Sequence, residues 1–322
     1  MAFDRWTDAG KVAELDDVLH PGTVLQNGRF WVRSFLGSGG FGNTYIARTR
    51  LDRDVVLKEC FIPEMCRRSQ GRIVPRSEAI RQNLAKVQNS FRDEAQTLTG
   101  LSHPNIVQCH GSFDENDTVY VVLEYIQGQD LQDLIDANSR RLSSGQIIAL
   151  ARRLLSALAH VHDRGYLHCD IAPDNVCLRD NAEPVLIDFG SARRCIDGIA
   201  QPGAGFNMVK DGYSPHEFYT PNAAPGPSSD IYALGATLYH AVAGRPPVDG
   251  LARRTALAEG RPDPHRPLAG SVAGYASGFL GSIDRAMSVR AAARFGSARD
   301  WLQQLDAAAA AVVRGWASGN ET

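Results

Sequence analysis

Glycines recur in Gly37-Ser38-Gly39-Gly40-Phe41-Gly42, a GxGxxG spacing, and a lysine, Lys58, closes the apolar run Val55-Val56-Leu57 further along. Residues without side-chain bulk let a backbone approach a polyanion closely and offer it N–H groups. A dinucleotide-binding fingerprint needs a helix to open directly after the glycines. The segment after them is TYIARTR, β-branched and aromatic, so the glycines sit in a strand-turn-strand hairpin. Such a loop can close over a triphosphate, although an ordinary tight turn satisfies the same pattern. On a strand, Lys58 points inward beneath the loop, where an ammonium is costly unless paired. Glu94, in the stretch FRDEAQTL, is the candidate partner; the alternative is two unrelated surface charges.

The elements that must position these groups emerge from periodicity. Residues 29–59 read as FWVRSFL, the glycine turn, TYIARTR, a charged turn and VVLKE, an antiparallel meander. Residues 61–100 turn polar and arginine-rich, with a helical stretch around 85–98, before HPNIVQCHGSF and TVYVVLEYI return to strand patterns. One antiparallel sheet and one helix make a small first lobe. Past Gly128 helices dominate: over 146–162, Ile147, Leu150, Leu154, Leu158 and Val161 share one face, and Gly165 supplies a stop. Residues 230–243 are apolar nearly all round, as in a helix buried at the centre of a lobe, and Gly244, Pro246 and Pro247 end it. The loosest segment is 192–212, rich in glycine and small residues, with PNAAPGPSS a second loop beyond it.

The strongest chemical signal is His168-Cys169-Asp170-Ile171-Ala172-Pro173-Asp174-Asn175, with Asp188-Phe189-Gly190 downstream. It resembles the HRDxxxxN catalytic loop and the DFG motif of protein kinases, in the family's order after a glycine loop and a strand lysine. The resemblance spans residues of about 22–305, and the texture of GSGGFGNTYIA, IAPDN and GYSPHEFY is similar to the bacterial Hanks-type Ser/Thr branch, which also carries an insert behind the strand lysine. It implies an α+β, bilobal fold: a small antiparallel β lobe with one main helix, and a larger, mostly α lobe. The expected organisation is an extension over 1–28, a first lobe over 29–126 with an insert at 61–90, a second lobe over 127–314 and a tail over 315–322.

The resemblance also implies roles. Asp170 would orient the acceptor hydroxyl and take its proton, Lys58 would hold the α- and β-phosphates of ATP, and Asn175 with Asp188 would supply oxygen ligands to Mg2+. Gly37, Gly39 and Gly42 would cover the phosphates, and Glu94 would pair with Lys58. Leu123 would stand as gatekeeper, Glu124 to Ile126 as the hinge beside adenine, and Thr44 and Cys177 above and beneath the ring. Glu217, in Ser214-Pro215-His216-Glu217, would pair with Arg294, and Asp230 would brace the catalytic loop.

Two departures bear on mechanism. Cys169 replaces the arginine that in many kinases binds an activation-loop phosphate, and Ala172 replaces the lysine that contacts the transferring phosphoryl. Counting back from Glu217, Lys210 falls where Ser/Thr kinases place a threonine facing the catalytic aspartate, a position from which a lysine could reach the vacated space. The expectation is an ATP- and Mg2+-dependent protein Ser/Thr kinase in which Lys210 compensates. The alternative is a pseudokinase, a nucleotide-binding scaffold or allosteric regulator.

Composition bounds the rest. With 43% apolar and 22% charged residues and a net charge of −2, the chain gives no reason to expect a nucleic-acid partner. Its only lysines are Lys11, Lys58, Lys86 and Lys210. Six cysteines without CxxC pairing suit reduced thiols and a cytoplasmic location. The polar, acidic start lacks the basic and apolar regions of a signal peptide, and no run of about 18 apolar residues could span a membrane. The partners expected are a protein substrate and a second copy of the chain during autophosphorylation.

Overall fold

The computed structural model describes residues 17–39, 42–137, 142–196, 199–200, 209–220 and 225–307. Most of the expected extension at 1–28 and all of the tail at 315–322 lie outside them, as does part of the loose segment at 192–212. The chain divides into two compact units: one runs to Ser102 and takes in Val107–Ile126, the other holds His103–Ile106 and most of the chain from Gln127 on.

The first unit is built on a six-stranded antiparallel sheet in the order β1-β2-β3-β4-β8-β7, formed by β1 (Val24–Leu25), β2 (Phe30–Gly39), β3 (Gly42–Thr49), β4 (Asp54–Cys60), β7 (Cys109–Glu115) and β8 (Thr118–Glu124). Strand alternation is plain at the start of β2, where Phe30 and Val32 are buried and Trp31 and Arg33 exposed. Phe30, Phe113 and Tyr120 stack in sequence, with centroids 5.5 and 5.0 Å apart, inside a core shared with Leu57, Tyr45 and Val122. Leu19 and Leu25 also belong to this core, so residues 17–28 are part of the unit and not a separate extension. Each such burial contributes about 1.5–3 kcal/mol, enough to hold a short polar-flanked segment against the sheet.

The stretch at 61–90 holds more structure than its polar composition suggests. Strands β5 (Cys66–Ser69) and β6 (Arg72–Pro75) form a hairpin turned by Gln70 and Gly71, both at positive φ (50° and 79°), as a two-residue type I′ turn requires. Helix α1 (Arg81–Thr99) begins four residues before the expected 85 and buries Leu84, Phe91, Glu94, Ala95 and Leu98 along one stripe. Leu84 packs with Phe61, Cys66 and Ile73, which fastens the hairpin to the helix.

In the second unit, β9 (Gly128–Asp130) leads into α2 (Leu131–Asp136), and then α3 (Ser144–Asp163) starts at a capping box between Ser143 and Gln146. Helix α3 buries Ile147, Leu150, Leu154, Leu158 and Val161, the face expected from its period. Five short strands come next: β10 (Tyr166–Leu167), β11 (Val176–Arg179), β12 (Pro184–Leu186), β13 (Arg193–Ile196) and β14 (Ile199–Ala200). They pair as a β10-β13-β14 sheet and as a β12-β11-β9 sheet. Helix α4 (Pro227–Ala243) is buried without a break from Ser229 to His240 and ends at Gly244, whose left-handed φ of 69° closes the last turn. Helices α5 (Gly250–Ala258) and α6 (Ser277–Ala286) pack around it, and residues 298–307 are helical, carrying the buried Trp301 against Phe295. Among the described residues no helix is long and apolar enough to cross a membrane.

Candidate active site

In the first unit, the β3–β4 register places Thr44 opposite Lys58 and Asn43 opposite Glu59, and β2 pairs Gly37 with Thr44 and Gly39 with Gly42. A side chain at Gly42 would put its Cβ 1.9 Å from the Glu59 carbonyl oxygen, so the glycine there is a packing requirement. Lys58 is 8% exposed, and its Nζ lies 3.5 Å from Glu94 Oε1 of α1 and 5.6 Å from the Phe91 ring centroid. Burial of Glu94 along the α1 stripe therefore brings a carboxylate to the strand ammonium, which offsets the cost of removing either from water. Leu123 is buried at the end of β8, Glu124 donates its backbone N–H to the Gln108 carbonyl at 2.8 Å, and Ile126 is half-buried just beyond.

In the second unit the catalytic-loop residues hang on one carboxylate. Asp230, in the first turn of α4, accepts the backbone N–H groups of His168 (2.9 Å) and Cys169 (2.8 Å) and contacts His162 Nε2 at 2.9 Å. Burial by itself would raise its carboxyl, but the His162 hydrogen bond and charge and these amides hold it below the usual range. The tether maintains Cys169 at φ 63°, an uncommon conformation for a residue with a Cβ. The His168 ring packs against Phe189 with centroids 4.4 Å apart and planes tilted by 51°, and burial pushes its basicity down.

Asn175 donates through Nδ2 to both the backbone oxygen and Oδ2 of Asp170, each at 2.8 Å. Its amide oxygen is then the end not committed to Asp170. The Asn175 backbone oxygen accepts from Ile187 N at 3.0 Å, which fixes the approach to Asp188, itself at φ 56° with Oδ1 accepting from Gly190 N. A carboxylate and an amide oxygen make a hard donor set that fits Mg2+. Cys177 is buried in β11, paired with Asp130 of β9.

Lys210 turns into this loop. Its Nζ donates to both oxygens of Asp174 (2.8 and 2.9 Å) and lies 3.5 Å from Asp170 Oδ1. Its backbone is pinned too: Lys210 N donates to Ser214 Oγ at 2.9 Å, and the N–H groups of Tyr213 and Ser214 return to its carbonyl. Burial raises the Asp170 carboxyl, with Lys210 the largest opposing influence; burial alone would lower the Lys210 ammonium, but Asp170 and Asp174 push it up. Ala172, two residues along the chain from each of these aspartates, is fully buried. Arg294 pairs with Glu217 at 2.7 Å, and Ser229 also donates to that carboxylate.

Two features escape a reading of the sequence alone. Asp174 had no assigned part, yet it is the principal partner of Lys210; a carboxylate beside a missing lysine and one of four lysines downstream were the available signal. Glu59, adjacent to Lys58, is wholly buried in a polar cluster, and strand alternation gave no sign of it.

A two-lobed fold with this catalytic loop defines a protein-kinase-like phosphotransferase class. The protein kinase domain is matched over residues 30–263, and the chain belongs to the protein kinase family, in its bacterial Hanks-type Ser/Thr branch. It is 30% identical to the serine/threonine-protein kinase PrkC of Bacillus subtilis over 70% of this chain and 32% of that protein. It is 29% identical to the serine/threonine-protein kinase pkn2 of Myxococcus xanthus over 92% of this chain and 34% of that one. The chain thus spans about a third of the length of these relatives. Among solved structures, the PpkA-294 apo form superposes with a TM-score of 0.77 at 30% identity, over 90% of this chain and 99% of that one.

Proposed function

We propose that this domain transfers the γ-phosphoryl of MgATP to a serine or threonine hydroxyl of a protein, with Lys210 taking the part of the lysine absent at Ala172. The observation that carries this reading is the Lys210 ammonium, 3.5 Å from the Asp170 carboxylate and held by Asp174. A cation there meets the acceptor hydroxyl's base and the developing phosphoryl charge from one side. Lysine suits the task as a compact charge on a flexible stem.

Asp170, oriented by Asn175, accepts the hydroxyl proton as the oxygen attacks. Lys58, paired with Glu94, holds the α- and β-phosphates, and the backbone of the Gly37–Gly42 hairpin covers them. Leu123, Glu124 and Ile126, with Thr44 and Cys177, receive the adenine. Asn175 and Asp188 would hold Mg2+, which neutralises phosphate charge when bound. The domain is proposed to act in the cytoplasm, on a protein substrate and on a second copy of itself.

The test is incubation with MgATP and a generic protein acceptor, and then measurement of intact mass. Added phosphate on wild type, lost in Asp170→Asn and Lys58→Met by at least about two orders of magnitude in rate, is the expected outcome. Nucleotide binding without any phosphate transfer by wild type would overturn it in favour of a pseudokinase.

A further inference from the structure

The face of the sheet opposite Lys58 carries a second buried charge cluster with no part in the chemistry above. Glu59, 0% exposed, accepts from Tyr45 OH at 2.9 Å, Tyr120 OH at 2.5 Å, Asn43 Nδ2 at 3.3 Å and Arg68 Nη2 at 2.7 Å. Arg68 comes from β5, the first strand of the insert hairpin, and its side chain is 6% exposed. Burial alone would lower its basicity, but Glu59 reverses this, and both tyrosine hydroxyls are pushed up by burial beside the carboxylate.

The cluster extends in two directions. Toward the glycines, Ser38 Oγ donates to Asn43 Oδ1 at 2.6 Å, and Ser38 and Asn43 are a cross-strand pair flanked by the Gly39–Gly42 pair. Gly42 lies against the Glu59 carbonyl so closely that no side chain fits. Toward the N-terminus, Asp17 Oδ1 accepts from Arg68 N at 2.7 Å, and the Asp17 carbonyl accepts from Asn43 Nδ2 and Arg68 Nε, both at 3.3 Å. The insert is held independently as well, by Ile73 N donating to Asn116 O at 2.8 Å.

One continuous chain of contacts therefore runs from the insert through Arg68, Glu59 and Asn43 to Ser38 in the stem of the glycine hairpin. Glu59 is fully desolvated, so its geometry is fixed only while every donor is present. We infer that the insert hairpin is a working part of the nucleotide site, with Arg68 a positioning residue that, through Glu59 and Asn43, holds the stem of the glycine hairpin, Gly37–Gly39 paired with Gly42–Thr44, in register for phosphate binding. This rests on the ATP-dependent reading above, in that the hairpin's ligand is taken to be a nucleotide. An insert that served only to cover hydrophobic surface would need the Phe61, Cys66, Ile73 and Leu84 contacts and no buried arginine.

The experiment measures hydrogen exchange of backbone amides at residues 37–44 in the nucleotide-free protein, and the dissociation constant of a fluorescent ADP analogue with Mg2+. Arg68→Met is expected to speed exchange in that hairpin by about tenfold, the scale of one lost charge-assisted hydrogen bond, and to weaken nucleotide binding by a similar factor. Exchange in α4 of the second unit should stay unchanged, and Arg68→Lys should restore part of both effects. Ser38→Ala cuts the chain at its exposed end without removing a buried charge. It should speed exchange at 42–44 by about threefold or more on the scale of one neutral hydrogen bond, and so decides the matter if Arg68→Met does not fold. Folded variants with wild-type exchange at 37–44 and wild-type ADP affinity would overturn the inference. Wild-type protein that bound no nucleotide would sink the kinase reading, while the exchange data would still judge the coupling from Arg68 to the hairpin.

Discussion

Replacing Lys210 with methionine keeps the length and apolar stem of the side chain and deletes its charge. Two consequences can be sized. On the role proposed for Lys210, the first is loss of a cation beside the transferring phosphoryl, which costs about 3 kcal/mol of barrier, or about two orders of magnitude in kcat. The second falls on Asp170, whose Oδ1 lies 3.5 Å from the ammonium. Two unit charges about 4 Å apart interact by about 4 kcal/mol at an effective dielectric of about 20. Lys210 shares its charge with Asp174 at 2.8 Å and its side chain is 26% exposed, so only part of that reaches Asp170. The sign is fixed: burial already raises this carboxyl, Lys210 is the chief influence lowering it, and its removal raises it further. The acidic limb of the pH profile should therefore move to higher pH. Steady-state kinetics on a generic protein acceptor, from about pH 5 to 9, should give kcat down by about 100-fold, KM for ATP within about twofold, and the acidic limb shifted to higher pH. Asp174→Asn keeps the cation but loosens it, and should cost about tenfold. A Lys210→Met protein with wild-type kcat and an unmoved acidic limb would refute the reasoning.

Asp230→Ala removes the acceptor of two buried backbone N–H groups, so chemical denaturation should show a loss of about 3 kcal/mol or more; a loss below about 1 kcal/mol would mean the catalytic loop is held by other contacts. Burial makes the His168 ring less basic than an unfolded histidine, whose pKa is near 6.5, so this ring's contribution to stability should fall as pH drops below about 6.5. Urea unfolding at about pH 5.5 and 7.5 tests this, with equal stability at both the contrary result. Because Cys169 stands where a phosphate-binding arginine is usual, phosphatase-treated protein should keep full activity. Activity abolished by phosphatase and restored by one phosphorylated site between residues 191 and 213 would show that another cation, with Arg193 and Arg194 the first to test, has taken over that task.

The motifs made the fold class legible because they are local: a glycine hairpin, a catalytic loop and a buried helix each announce themselves within a dozen residues. The face of α3 and the all-round burial of α4 could be read from period alone. The insert was not legible, because its hairpin rests on two turn residues at positive φ and a four-residue apolar cluster drawn from 61, 66, 73 and 84, too scattered to produce a periodic signal. Glu59 was hidden for a related reason. Alternation put it on the face away from Lys58, where a lone sheet would meet water; instead that face is closed by Arg68 and Asp17, brought from 9 and 42 residues away. Periodicity reports which face a residue takes and says nothing about what covers that face.

Ala172 and Cys169 together suggest a single change in how such a site is assembled. In the usual arrangement the catalytic loop carries its own phosphoryl-contacting lysine, and an arginine in the loop captures a phosphate that orders the activation segment. Here the loop has lost both cations, and the segment itself brings one in. Lys210 reaches Asp170 and Asp174 only while the turn at Tyr213 and Ser214 folds back on its carbonyl and Ser214 Oγ receives its N–H. If Lys210 acts as proposed, ordering of the segment and completion of the charge constellation are one event, with no separate phosphate needed to couple them. The ion pair to Asp174 then has two consequences: it holds the cation and it fastens the segment to the loop. Substituting Ser214 by alanine should expose this coupling, lowering kcat through Lys210 while leaving the Asp230 tether, and hence the loop's own fold, untouched.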